Sequence, residues 1–128
     1  MISLASAAVS KLAGSGHSAA WFDGTGTAAA LMSPIGVSVF ASGSRTLVAD
    51  AGLYTILSVN VSSTWVSTLV GSGNASHADG IGTSANFDNP TSIAVSNDST
   101  FALVVGALLR RTNMPFVNDY LAALCRCR

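Results

Sequence analysis

A duplication constrains this chain more than any other feature. Asp23–Pro34, DGTGTAAALMSP, recurs at Asp79–Pro90 as DGIGTSANFDNP. Just upstream, Val9–Gly16, VSKLAGSG, meets Val66–Gly73, VSTLVGSG, 57 residues on, with six of eight positions identical. One extra residue in the first loop changes the spacing to 56. Asp23, Gly24, Gly26, Thr27, Ala29, Pro34, Val39, Leu47 and Val48 then meet Asp79, Gly80, Gly82, Thr83, Ala85, Pro90, Val95, Leu103 and Val104. Self-similarity at such a period marks a solenoid, a propeller or an array, in which each unit buries its apolar face only against its neighbours.

Each copy reads as short strands joined by polar turns. Val66–Val70 is β-branched and alternating, which suits a half-buried strand, and Val9–Ala13 reads as its counterpart. Gly71-Ser72-Gly73 ends it. A loop of about 16 residues then runs to Pro90. Inside it Asp79-Gly80 is a turn signal, and Gly82–Phe87 suits one helical turn with Thr83 as N-cap. Pro90 disfavours helix at the residue before it. In the first copy the matching turn is Thr27–Met32, closed by Pro34. Gly36–Phe40, Thr46–Asp50, Tyr54–Val59 and the run from Trp65 then read as successive strands, with Ser92–Val95 and Phe101–Val105 as second-copy partners. A four-stranded antiparallel meander repeated at a fixed period is the unit of a β-propeller.

These residues resemble NHL repeats, whose blade reads approximately P-x-G-V-A-V, a polar turn, V-Y-V-A-D, and a small turn with N-x-R-I. Here stand Pro34, Gly36, Val37 and Val39, then Leu47-Val48-Ala49-Asp50, then Gly52 and Ile56. The likeness covers about residues 9–112. Leu53 and Thr55 depart from the pattern in the first copy. In the second, Gly106 replaces the Asp and Thr112 the Ile, while Arg111 keeps the Arg. The resemblance implies an all-β chain: a partial β-propeller of about two four-stranded antiparallel blades with long inter-blade loops. Repeat one spans about 9–65 and repeat two about 66–114. In the tail, 115–128, Tyr120–Cys125 aligns with Thr64–Leu69 as a strand, yet its Leu and Ala content favours helix. Rings need about four to eight blades, so the expectation is a fragment of a longer repeat protein, with open strand edges prone to self-association.

Composition narrows the function classes. The chain is 49% hydrophobic, 9% charged and of zero net charge, which argues against disorder. Lys11 is the single lysine, and the arginines are mostly late, at Arg110, Arg111, Arg126 and Arg128. That distribution provides no basic face for nucleic acid. The longest apolar run, Phe101–Leu109, is about half a bilayer span. The N-terminus has no basic n-region and its apolar stretch is broken by Ser3, Ser6 and Ser10, so it does not read as a signal peptide. Cys125 and Cys127, two apart, are poorly placed to bond each other and lack a second pair of zinc ligands. Three sequons, at Asn60, Asn74 and Asn97, fall in expected loops and tilt localisation towards the extracytoplasmic side.

Candidate chemistry is thin. His17 and His77 sit in the long loops at non-equivalent positions, without Cys or Glu at ligand spacing. Ser76, His77 and Asp79 suggest a triad only in name, because near neighbours in sequence do not face one another as a triad requires. Asp23 and Asp79 bring one carboxylate per loop, far short of the six to eight oxygens of a calcium site. The expectation is therefore no catalytic, cofactor or metal residue. Asp23, Gly24, Gly26, Thr27, Pro34 and Asp79, Gly80, Gly82, Thr83, Pro90 form a structural repeat motif, a clasp between blades. The reading is a non-catalytic binding or scaffold module that presents an unknown protein or small ligand to the long loops, Gly14–Ser33 and Gly71–Asn89. The alternatives are a piece of a propeller lyase or lactone hydrolase, which tight metal uptake in calorimetry would favour, and a nonfunctional truncated product.

Overall fold

The structure, a computed structural model, describes residues 7–16 and 22–114. Eight strands and two short 3-10 helices follow in order: β1 (Gly24–Thr25), η1 (Gly26–Ala28), β2 (Pro34–Val39), β3 (Arg45–Asp50), β4 (Thr55–Asn60), β5 (Trp65–Val70), η2 (Gly82–Ser84), β6 (Ser92–Val95), β7 (Phe101–Val105) and β8 (Leu109–Asn113). They form two antiparallel sheets. The first has the order β1-β5-β4-β3-β2, and the second β6-β7-β8.

The meander from β2 to β5 is a four-stranded antiparallel blade whose last strand, β5, comes from the head of the second repeat, with the two-residue β1 added at its outer edge. In the second copy three strands lie within the described residues, and the segment expected to supply a fourth, 115–128, lies outside them. Short turns set each register. Ser44 O accepts from Val61 N after the β2–β3 turn, and Thr100 O accepts from Met114 N at the same place in the second sheet, both at 2.9 Å.

Directly opposed residues of neighbouring strands share a face. One face of the first sheet therefore carries Leu47, Ala49, Ile56 and Val70, all buried. It packs on Ile93, Ala102 and Val104 of the second sheet to make the larger core. The inner strands approach closely here. A Cβ on Gly36 would lie 2.8 Å from Ser92 Cα, and Val95 N donates to Ser38 Oγ at 3.0 Å. The opposite face of the first sheet carries Leu57, Val59 and Val66, covered by Ala29, Leu31, Leu12 and Ala13. Its inner part stays open, with Val37 65% and Val39 60% exposed.

Several local expectations need correction. Thr83 is not an N-cap: it is the second residue of η2, which Ile81 precedes with no side-chain cap. The turn expected over Thr27–Met32 starts earlier and is shorter, because Gly26 supplies the φ of +56° that opens η1. No strand forms over Val9–Ala13, where Val9 alone makes a bridge and is 79% exposed. Among the described residues no strand runs beside that segment as β4 runs beside β5.

The second copy also slips in register. β3 and β4 pair Asp50 with Thr55, whereas Gly106 N bonds Leu108 O at 3.1 Å across a turn three residues tighter. Leu109, Arg110, Arg111 and Thr112 thus occupy the places of Ile56, Leu57, Ser58 and Val59. Thr112 does not stand for Ile56, and Arg111 does not keep the repeat's Arg position.

Candidate functional site

The two long loops share one backbone design. Gly26 and Gly82 both have φ +56°, a conformation that glycine adopts without a Cβ penalty. Their carbonyls accept from Ala29 N and Ala85 N, each at 3.3 Å, and from Gly14 N and Gly71 N, at 3.0 and 3.1 Å. Gly24 and Gly80 let each loop fold onto itself, since a Cβ there would meet the carbonyl carbon of Ala28 at 3.1 Å and of Ser84 at 2.7 Å. Isolated bridges Phe22–Ala30 and Ala78–Asn86 close both loops at matching places. Thr27 and Thr83 lie within η1 and η2. Pro34 begins β2, and Pro90 is fully buried.

The aspartates of the motif differ. Asp23 reaches beyond its own turn. Its Oδ1 accepts from the amide of Thr68 at 2.9 Å and from the Thr68 hydroxyl at 3.0 Å. With Gly24 paired to Val66, Thr25 to Trp65 and Gly26 N donating to Thr64 O at 2.9 Å, the first loop grips β5 from outside. Asp79 has no such strand among the described residues and instead pairs with the Arg110 guanidinium. Arg110 also donates to Ala78 O at 2.9 Å and Asn86 O at 2.5 Å, and lies 5.3 Å from the centre of the Phe87 ring. Ile81, the counterpart of Thr25, is 92% exposed.

Between the second loop and β8 lies a cleft of about 780 Å³. Leu69, Val70, Ile81, Phe87, Leu109 and Met114 are among the apolar residues that line it. In the first sheet β5 runs between β4 and β1 at the corresponding place. Among the described residues β8 pairs only with β7. Among the described residues the cleft thus joins apolar walls to a strand edge with no second partner strand, and such an edge has the chemistry to take up an extended chain.

Other singled-out residues do not gather there as a reactive set. His77 Nε2 lies 3.7 Å from Asp88 Oδ2, while Asp79 turns to Arg110, so the Ser76–His77–Asp79 run diverges. His17 lies outside the described residues, as do Cys125 and Cys127. Among the described residues no three His, Cys, Asp or Glu side chains come close enough to hold a metal ion, and no helix is long and apolar enough to cross a membrane. Sequence reasoning passed over two organising residues. Arg110 showed only as part of a late basic cluster. Asp50 is fully buried and accepts from Met32 N and Ser33 N at 2.8 Å and from Gly52 N and Leu53 N at 3.1 Å. Its signal in the sequence was the V-A-D end of the strand.

No family model and no curated protein matches the chain. Solved structures do. A structural genomics protein of unknown function from Bacteroides thetaiotaomicron matches with TM-score 0.66 and 23% identity, over 73% of this chain and 24% of its own. An auxiliary nutrient binding protein from the same organism matches with TM-score 0.59 and 18% identity, over 67% and 23%. Kuenenia stuttgartiensis hydrazine synthase matches with TM-score 0.51 and 16% identity, over 66% and 21%. The fold is that of a partial β-propeller. β2–β5 and β6–β8 are its blades, and the chain spans about a quarter of the length of the structures it matches.

Proposed function

We propose that the chain is a non-catalytic binding module of an NHL-type propeller, and that it takes up an extended polypeptide strand in the cleft beside β8. The carrying observation is the contrast between its two blades. In blade one the motif holds a fourth strand, β5, through Asp23, Gly24 and Thr25. In blade two the same motif, built to the same φ angles and hydrogen bonds, stands beside an edge with no strand among the described residues. Asp23, Gly24, Gly26 and Thr27, with Asp79, Gly80, Gly82 and Thr83, act in this reading as strand clasps, and Pro34 and Pro90 as the stops that start the next blade. Repeat one, about 9–65, and repeat two, about 66–114, are successive units of one propeller. A neighbour in fold named as a nutrient binding protein supports a binding role of this general kind.

Backbone pairing supplies affinity in such a site, and alternate side chains supply choice. A guest strand would turn apolar residues towards Leu69, Phe87 and Met114 and polar ones to solvent. Amide hydrogen exchange tests this with a panel of alternating apolar–polar peptides. The expected result is slowed exchange at the outward-facing amides of β8. Unchanged exchange along β8 with every peptide would end the proposal.

A further inference from the structure

Blade one shows how the loop motif reads the strand it holds. β5 lies between β4 and β1. On the β4 side Val59 faces Val66, Ser58 faces Ser67 and Leu57 faces Thr68, and a bulge then brings Ile56 opposite Val70. On the other side Gly24 and Thr25 pair with Val66 and Trp65. Asp23 adds the one side-chain contact that depends on residue type. Its Oδ1 takes both the amide and the hydroxyl of Thr68, at 2.9 and 3.0 Å. A valine at that place would supply the amide alone, and a proline neither donor.

Blade two repeats these parts around the cleft. Leu109, Arg110 and Thr112 hold the places of Ile56, Leu57 and Val59. Asp79, Gly80 and Ile81 hold those of Asp23, Gly24 and Thr25. Ala85 and Phe87 stand for Ala29 and Leu31, which pack in one cluster with Val66. The Asp79 carboxylate is fully exposed and meets the Arg110 guanidinium. A carboxylate has about four lone-pair sites, so this pair leaves capacity for further donors. Charge narrows which donors suit it. A lysine or arginine would set a second cation beside Arg110, and an aspartate or glutamate a second anion beside Asp79. A hydroxyl donates without adding charge.

We infer that Asp79 sets the sequence preference of the cleft: the extended polypeptide it takes carries Thr or Ser opposite Arg110, and donates that residue's amide and hydroxyl to the Asp79 carboxylate. The inference rests on the strand-binding reading above and specifies the partner by its chemistry. The β4–β5 register carries the rest of the pattern. The residue two places before the hydroxyl falls opposite Thr112, where Val66 lies opposite Val59, and is apolar to cover Phe87. The residue two places after it falls opposite Leu109, where Val70 lies opposite Ile56, and is apolar as well. The partner therefore reads apolar, any residue, Thr or Ser, any residue, apolar, and runs antiparallel to β8. Gly80 and Ile81 pair with its outer edge, as Gly24 and Thr25 pair with β5. Ile81, 92% exposed in the chain alone, is then covered in part.

The probe is a synthetic peptide with the sequence of Thr64–Ser72, TWVSTLVGS, beside the same peptide carrying Thr68→Val or Thr68→Ser. Calorimetry with the full chain measures affinity, and exchange at the β8 amides locates the bound peptide. The parent and Thr68→Ser peptides should bind alike, and Thr68→Val about tenfold more weakly. On an Asp79→Ala chain, whose fold circular dichroism verifies, the three peptides should bind within about twofold of one another. Equal affinity of the parent and Thr68→Val peptides for the wild-type chain overturns the inference, and this comparison needs no protein variant. So does a preference that survives Asp79→Ala. If all three peptides protect the β8 amides equally, strand binding stands and the Asp79 preference falls. If none protects them, the two readings fall together.

Discussion

Asp50 and Gly106 hold the same place in their blades and close the long loop by opposite means. Asp50 turns its carboxylate onto four backbone amides, those of Met32, Ser33, Gly52 and Leu53. Gly106 has no side chain, and the loop backbone rests on it directly. A Cβ there would come within 2.6 Å of Asp88 O, and Ala107 N donates to that carbonyl at 3.2 Å. Replacing Asp50 by Ala leaves four donors short of an acceptor in a buried site and should cost about 3 kcal/mol or more. Gly106→Ala should also destabilise, by overpacking of about 1–3 kcal/mol. Urea denaturation of both variants measures the two losses.

Arg110 should matter more than the aspartate it pairs with. Asp79 is fully exposed, so the ion pair is screened by water and contributes little. The Arg110 guanidinium also satisfies two loop carbonyls and faces Phe87. Arg110→Ala is expected to lose about 2 kcal/mol, and Asp79→Ala much less. Denaturation midpoints of the two variants side by side give the comparison. Equal losses would mean that the ion pair dominates.

Thr55 presents the reverse case. It is fully buried, and its hydroxyl has no hydrogen-bond partner among the described residues. Thr55→Val keeps the shape and removes the unmet polar group. It should stabilise by about 1 kcal/mol, read as a higher urea midpoint with an unchanged slope.

The hairpin between β6 and β7 carries a pH signature. The Asp98 carboxylate accepts from the Ser96 hydroxyl at 2.7 Å, the Thr100 hydroxyl at 2.8 Å and the Thr100 amide at 3.1 Å. These bonds, the Ser96 hydroxyl foremost, hold its pKa below the ordinary 3.8. A carboxyl with a depressed folded pKa adds stability above its unfolded value and loses it as pH falls through the folded one. Carbon-detected NMR titration should place the Asp98 midpoint below that of an unstructured aspartate. Ser96→Ala should raise it, and a midpoint at the free value in the native chain would refute the hydrogen-bond assignment.

Much of the site's frame was legible in the residues. The recurring glycines of DGTGT and DGIGT marked a turn in each copy, and the structure puts the positive φ on Gly26 and Gly82 and the close approach on Gly24 and Gly80. Alternation located β2 to β7 to within a residue or two of their ends. The ends of the repeat were harder. Val9–Ala13 reads as a strand because its residues suit one, but among the described residues no strand lies beside it, and strand partners are not written in the pattern.

The architecture follows from local patterns. Period-2 apolar runs, turn residues between them and a repeat near 56 residues allow little other than stacked antiparallel blades, because each local choice depends on residues within a few positions of one another. What depended on distant residues was decided only in three dimensions. The tighter turn at Gly106 slid β8 by three residues and set Arg110, not Arg111, over Phe87. That slip brought Arg110 to Asp79, 31 residues away, while Asp23 reached Thr68, 45 residues away. Among the described residues the same motif thus lies against a strand, β5, in one blade and against none in the other, and no local pattern records that difference.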